Sequence, residues 1–223
     1  FFIDEGLDVT LKEFSHGKAT LSALVENEVD FAVSSETPFI HAILDGAAIS
    51  TIAVTVKAQD HLAVVARKDK GIQSEKDLKG KKIGVTFGSN GEYFLDTVFL
   101  LHGLQHSEIE TVHLKPGQMF DAIITGSVDA IATWNPQMHQ ANTELGDNGK
   151  TFFAGGLYAP YFLVATRKNY IKNNPETITK IIRALHKSSL FILANKKKSH
   201  QIVAKHLKAS PEILLNLSAK YDF

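Results

Sequence analysis

Short apolar runs alternate along the chain with segments of helical periodicity. β-Branched and aliphatic runs predict strands at 9–14, 30–34, 49–56, 61–67, 82–86, 110–114, 129–133 and 161–167. Helices are predicted at 18–27, 38–45, 92–102, 118–125 and 136–144, with a short helical turn at 74–78. Beyond residue 167 the pattern is helical. Asn174 is placed to cap and Pro175 to open a helix in which Ile178, Ile181, Ile182 and Leu185 fall at i, i+3, i+4 and i+7. Ser210-Pro211 marks one further helix start, and the opening "FFIDEGLDV" reads as a helix end capped by Gly6 and followed by a strand. Strands separated by helices of roughly ten residues predict α/β layers with mixed, mostly parallel sheets.

An internal repeat organises these elements. "ALVENEVDFAV" (23–33) and "AIITGSVDAIA" (122–132) share a helix end, a Val-Asp step and a small apolar strand, 99 residues apart. Upstream, "EGLDVTLKEF" (5–14) parallels "HGLQHSEIETVHLKP" (102–116), with Gly-Leu closing a helix before each strand. Downstream, "SSETPFIHA" (34–42) parallels "TWNPQMHQA" (133–141). In the second copy the Gly-Leu helix follows the strand and loop "VTFGSNG"; the repeat therefore predicts such a strand and loop ahead of residue 1 as well, and a first lobe short of one ligand loop.

Composition narrows the chemistry. The 223 residues carry 24 basic and 24 acidic side chains, so no net charge points to nucleic acid. The lysine-rich stretches 79–82 and 196–198 read as solvated edges. Cysteine is absent, which excludes disulfides, thiolate metal sites and cysteine nucleophiles. No apolar run approaches the ~20 residues of a membrane span. There is no phosphate-binding Walker loop, dinucleotide fingerprint, G-x-S-x-G elbow or H-E-x-x-H. The ten histidines are scattered; His102 and His106 are parted by a helix end, and His41 and His139 hold matching repeat positions on helices. No catalytic set, metal site or cofactor is expected.

Three strand-to-helix junctions offer binding chemistry instead. They are Ser34-Ser35-Glu36-Thr37-Pro38, with Thr37 as cap; Gly88-Ser89-Asn90-Gly91-Glu92; and Trp134-Asn135-Pro136, with Asn135 as cap. Each sets hydroxyls or amides beside unpaired N–H groups at the positive end of a helix, which suits a small polar group. Ser89-x-x-Glu92 also reads as a capping box that needs no ligand. Trp134 reads equally as a stacking platform or as core. Tyr158 and Tyr161 flank Pro160 and either line a cleft or close a turn.

The runs "GLDVTLKEFSHGKATLSALVENEVDFAVSSETP", "DLKGKKIGVTFGSNGEYFLDTVFLLHGL", "GSVDAIATWNPQ" and "YFLVATRKNYIKNNPETITKIIRALHKS" resemble, in that order, the solute-binding proteins of ABC transporters for sulfonates, nitrate and thiamine precursors. The resemblance implies a two-lobed, periplasmic-binding-protein-like α/β fold of type II, without its N-terminal strand. Lobe I would hold 1–67 and 158–223, and lobe II 68–157. It further implies a small polar solute (a sulfonate, a nitrate-like anion or a pyrimidine-type heterocycle) held in the cleft between lobes, hinge closure, an ABC permease as membrane partner, and a periplasmic or extracytoplasmic location. By position Ser35, Glu36 and Thr37 would line the first lobe. Gly88, Ser89, Asn90, Trp134 and Asn135 would line the second, with Glu92 and Tyr158 as further candidates for ligand binding. Many relatives carry an acid where Asn135 stands, which leaves the solute's charge open, and Arg67, Arg167 and Arg183 lie away from these loops. One alternative is the ligand-sensing domain of a membrane signalling protein. Another is a thiamine-pyrimidine enzyme, but such enzymes use a cysteine-rich segment that this chain lacks.

Overall fold

The computed structural model describes residues 1–153, 156, 158–207 and 221–222. In chain order the elements are α1 (Gly17–Val25), β1 (Phe31–Ser35), α2 (Glu36–Leu44), β2 (Ile49–Ala58), β3 (Leu62–Arg67), β4 (Lys82–Val85), α3 (Asn90–His102), β5 (Glu110–His113), α4 (Met119–Ile124), β6 (Ala130–Trp134), α5 (Gln137–Leu145) and β7 (Gly149–Phe153). There follow β8 (Tyr161–Arg167), α6 (Lys168–Asn173), α7 (Pro175–Ala194), α8 (Lys196–Leu207) and β9 (Tyr221–Asp222). They form two compact units, residues 1–59 with the described part of 160–223, and residues 60–159.

The first unit is built on the sheet β1-β8-β2-β9, in which every neighbour is antiparallel. Leu21 and Leu24 of α1 close one face over Ala32, Ile49, Leu163 and Ala165, with Phe39 and Ala42 of α2 at the margin. In α7 the buried positions are Ile178, Ile181 and Ala184, whereas Ile182 turns outward. Asn174 does stand at the N-cap of α7, but its amide donates backwards to the Tyr170 carbonyl at 3.2 Å.

The second unit holds the sheet β5-β4-β6-β3-β7. β4 runs parallel to β5 and β6, and β3 runs antiparallel to β6 and β7. Alternation splits β6 between two cores. Ala130 and Ala132 pack with Phe94, Leu95, Val98 and Phe99 of α3, while Ile131 packs with Met119 and Ile123 of α4 and Met138 and Ala141 of α5.

Two arginines play the same part in the two units. Arg67, ending β3, donates to the Ile123 and Ile124 carbonyls at the end of α4, both at 2.9 Å, and pairs with Asp69. Arg167, ending β8, donates to the Leu24 carbonyl at the end of α1 at 2.9 Å, to Val29, and to Asp30. Each guanidinium supplies donors to carbonyls that a helix C-terminus leaves unpaired.

Several expectations are corrected. Only the second sheet is mixed and the first is antiparallel throughout; among the described residues parallel pairing is confined to β4 and its two neighbours, so the sheets are not mostly parallel. Helix–strand alternation does not reveal that β3 and β8 enter their sheets antiparallel. β3, expected in the first lobe, pairs with β6 and β7 and falls in the second unit, as does Tyr158. Residues 9–14 form no strand, and β7 and β9 were not expected. Helix α2 starts at Glu36 with Ser35 as its N-cap, which places Thr37 and Pro38 inside the first turn, where proline's missing N–H costs nothing. Helix α5 starts at Gln137 after Pro136, so Asn135 is not its cap. The start expected at Ser210-Pro211 lies outside the described residues.

Candidate functional site

Parallel neighbours end at the same edge of a sheet, so the segments leaving β4 and β6 emerge side by side. The β4 segment is folded tightly on itself. Thr86, fully buried, donates its hydroxyl to the Leu114 carbonyl at 2.7 Å. Ser89, the N-cap of α3, donates to the Thr86 carbonyl at 2.6 Å and accepts from the Gly91 N–H at 3.1 Å. Gly88 takes a positive φ of 75°, which a side chain would strain, and its N–H donates to the Glu92 carboxylate at 2.6 Å. The Ser89-x-x-Glu92 pattern therefore acts as a helix start, but Glu92 reaches Gly88 rather than the Ser89 N–H of an ordinary capping box. Asn90 opens the 13-residue helix α3 and is 6% exposed.

The β6 segment lies against it. A Cβ built on Gly91 would stand 3.2 Å from Trp134 Cζ3, 3.3 Å from Ser89 Oγ and 3.4 Å from the Ala132 carbonyl oxygen. The indole thus sits on the first turn of α3, half-buried against the α3 side of the core. Tyr158 packs on the same core and meets Tyr93 edge to face, ring centroids 5.0 Å apart. The Asn135–Pro136 peptide is cis. Among the described residues, the side-chain oxygens of Thr133, Asn135 and Gln137 are buried without a hydrogen-bond partner. Buried polar atoms are nearly always paired, so three orphans within five residues call for an explanation. One strand away, Leu62 stands opposite Trp134, so His61 continues β3 at the level of Asn135. His61 is 9% exposed, and burial pushes its imidazole down to about 4.

In the first unit Ser35 and Thr37 are buried, and the Glu36 carboxylate accepts from the Tyr161 N–H at 2.9 Å, tying the start of α2 to β8. Ser34 occupies the repeat position of Thr133, and its hydroxyl too is buried without a partner. Gly17, at the start of α1, comes so close that a Cβ there would stand 2.4 Å from Ser34 Oγ.

The structure therefore brings Gly88, Ser89, Asn90, Glu92, Trp134, Asn135 and Tyr158 to one region of the second unit, and Ser35, Glu36 and Thr37 to the first. Sequence reasoning missed His61, Thr133, Gln137 and the Gly91–Trp134 contact. Thr133 and Gln137 carried a signal, as polar residues flanking Trp134 at the end of an apolar strand. Among the described residues no group of three or more acidic, His or Cys side chains is placed to hold a metal ion, and no helix is long and apolar enough to cross a membrane.

A protein-family model described as NMT1/THI5 like matches residues 1–199. The chain belongs to this family. A Bacillus subtilis (strain 168) protein named for aliphatic sulfonates binding is 27% identical over 191 residues, 84% of this chain and 56% of that protein. The crystal structure of the periplasmic aliphatic sulphonate binding protein of Escherichia coli superposes with a TM-score of 0.81 at 20% identity, covering 97% of this chain and 74% of that one. A Candida albicans protein described as having the generic periplasmic binding protein structural fold superposes with a TM-score of 0.80 at 18% identity, covering 100% and 74%. The NMT1/THI5-like chain thus has the periplasmic binding protein fold. It spans 56% to 63% of the length of the first curated relatives it matches.

Proposed function

We propose that the protein is the extracytoplasmic solute-binding component of an ABC importer, and that it takes a small polar solute at the ends of β4 and β6. The observation that carries this reading is the group of buried, unpartnered oxygens of Thr133, Asn135 and Gln137 beside Trp134 and the first turn of α3. A solute with hydrogen-bonding groups and one flat or apolar face answers both features. Arg67 and Arg167 are engaged with helix carbonyls, so an anion here relies on N–H groups, hydroxyls and the positive end of α3. The name of the Bacillus relative makes aliphatic sulfonates the first class to try. The role asks for no covalent chemistry, since a solute that prefers one conformational state is enough to shift the population toward it. A membrane permease is the corresponding partner.

Trp134 is the sole tryptophan of the chain, so its emission reports on the site directly. The full-length protein is titrated with alkanesulfonates, taurine, nitrate and aminopyrimidines while emission and thermal midpoint are followed. A true solute at 100 times its Kd stabilises by about 2.7 kcal/mol and changes the emission with the same saturation curve. If every member leaves both signals flat, the reading fails.

A further inference from the structure

Donors and acceptors are left over unevenly where β4 and β6 end. In the segment leaving β4, the Thr86 hydroxyl donates to the Leu114 carbonyl and the Ser89 hydroxyl to the Thr86 carbonyl. The Phe87 N–H donates to His113 Nδ1 at 3.1 Å, the Gly88 N–H to Glu92 and the Gly91 N–H to Ser89 Oγ. The chain itself thus takes up donors that a bound anion would need. In the segment leaving β6 the balance is reversed. The side-chain oxygens of Thr133, Asn135 and Gln137 are buried and, among the described residues, unpaired. A hydroxyl oxygen can accept as well as donate, and the two amide oxygens can only accept. Buried acceptors of this kind call for a donor from outside the chain.

Charge and aromatic rings lean the same way. Among the described residues the Glu92 carboxylate, in the first turn of α3, forms no ion pair. It already answers the positive end of α3, which leaves an anion less to gain there. Trp134 lies on that turn at Gly91, and Tyr93, half exposed, belongs to it and meets Tyr158 edge to face. Ring faces attract organic cations. Alternation puts Thr133 on the opposite face of β6 from Trp134, and Asn135 and Gln137 stand just past the strand's end. A group seated over the end of β6 therefore has the indole on one side and the acceptor oxygens on the other.

We propose that this site selects a protonated amine. Its ammonium or amidinium N–H groups go to the oxygens of Thr133, Asn135 and Gln137, its apolar body lies against Trp134, and Glu92 supplies the countercharge. The inference rests on the binding role proposed above and sharpens it to one class of solute. Nitrate and the simple alkanesulfonates offer these oxygens only further acceptors, whereas taurine brings an ammonium.

The test varies the charged head on a fixed body. The full-length protein is titrated with butylammonium, pentanoate and butanesulfonate, which share one butyl chain, and with benzamidinium against benzoate, following Trp134 emission and calorimetric heat. Each cation should bind about tenfold or more tightly than the anions on the same body. Asn135→Asp puts oxygen at both positions of the amide and adds a negative charge, so it should tighten the cations by about fivefold and weaken the anions. Glu92→Gln keeps an acceptor for the Gly88 N–H and removes the countercharge, and should weaken the cations by about fivefold. Anions that bind as tightly as the cations overturn the inference and leave the binding role standing. Cations whose affinity neither variant changes are held elsewhere, which overturns it too. Flat titrations with both cations overturn it as well; the binding role falls with it only if the alkanesulfonates, taurine, nitrate and aminopyrimidines are also flat.

Discussion

Acidification puts a proton on an imidazole that the fold keeps neutral. His61 is 9% exposed and burial lowers its pKa from 6.5 to about 4. A folded-state pKa below the unfolded one means that the unfolded chain binds the proton more readily. The stability linked to His61 is therefore complete above about pH 6.5 and is lost as pH falls toward 4. With these two values, moving from pH 7 to pH 4.5 removes about 2–3 kcal/mol, within the limit of 1.36 kcal/mol per pH unit for one proton. In a chain of this size that is a fall in thermal midpoint of roughly 5–10 °C from one side chain. Carboxylates also titrate in this range, so the informative quantity is a difference. The urea midpoint of the wild-type chain and of His61→Gln is measured from pH 7.5 to 4.5, and the two curves should converge as pH falls because the variant lacks the His61 component. If the two profiles stay parallel, His61 is not held neutral by burial and the reasoning is wrong.

Three other outcomes follow from contacts described above. Gly91→Ala places a methyl 3.2 Å from the Trp134 ring, which must shift by a few tenths of an ångström; a stability loss of about 1 kcal/mol and an altered Trp134 emission are expected, and unchanged emission would deny the contact. Ser89→Ala removes the N-cap of α3 and leaves the Thr86 carbonyl without its donor, for a cost of about 1–2 kcal/mol in chemical denaturation, while Glu92→Gln should cost less because the amide oxygen still accepts from Gly88. Arg67→Met and Arg167→Met each strip donors from helix-end carbonyls and should each cost about 2–4 kcal/mol, with faster amide exchange in α4 for the first and in α1 for the second.

Most strands were legible because their β-branched runs are bounded by turn residues, and β8 was read to its residue limits, 161–167. The start of α3 was legible through Ser89 and Glu92, though no pattern could say that the carboxylate turns to Gly88. β7 escaped because Gly-Lys-Thr-Phe-Phe alternates poorly and depends on its pairing with β3. Residues 9–14 failed in the opposite sense: a good strand sequence forms no strand without a neighbour. For the site, the repeat pointed to the loops after β1, β4 and β6. It could not show that Trp134 lies on Gly91, that His61 stands level with Asn135, or that Thr133, Asn135 and Gln137 keep unpaired oxygens. Those are matters of register and side-chain direction, settled by tertiary pairing.

The position of β8 has a consequence for the order in which the protein is made. β1 and β2 are not neighbours; each pairs with β8, which stands between them. About 100 residues separate the end of β2 from the start of β8, so at 5–20 residues per second the ribosome needs about 5–20 s to deliver the strand that joins them. Through that interval β1 and β2 emerge as separate edges with nothing to close on. The second unit, contiguous from 60 to 159, has all its strands before β8 appears. The sheet that holds β1 and β2 can therefore close only after every strand of the second unit has been made.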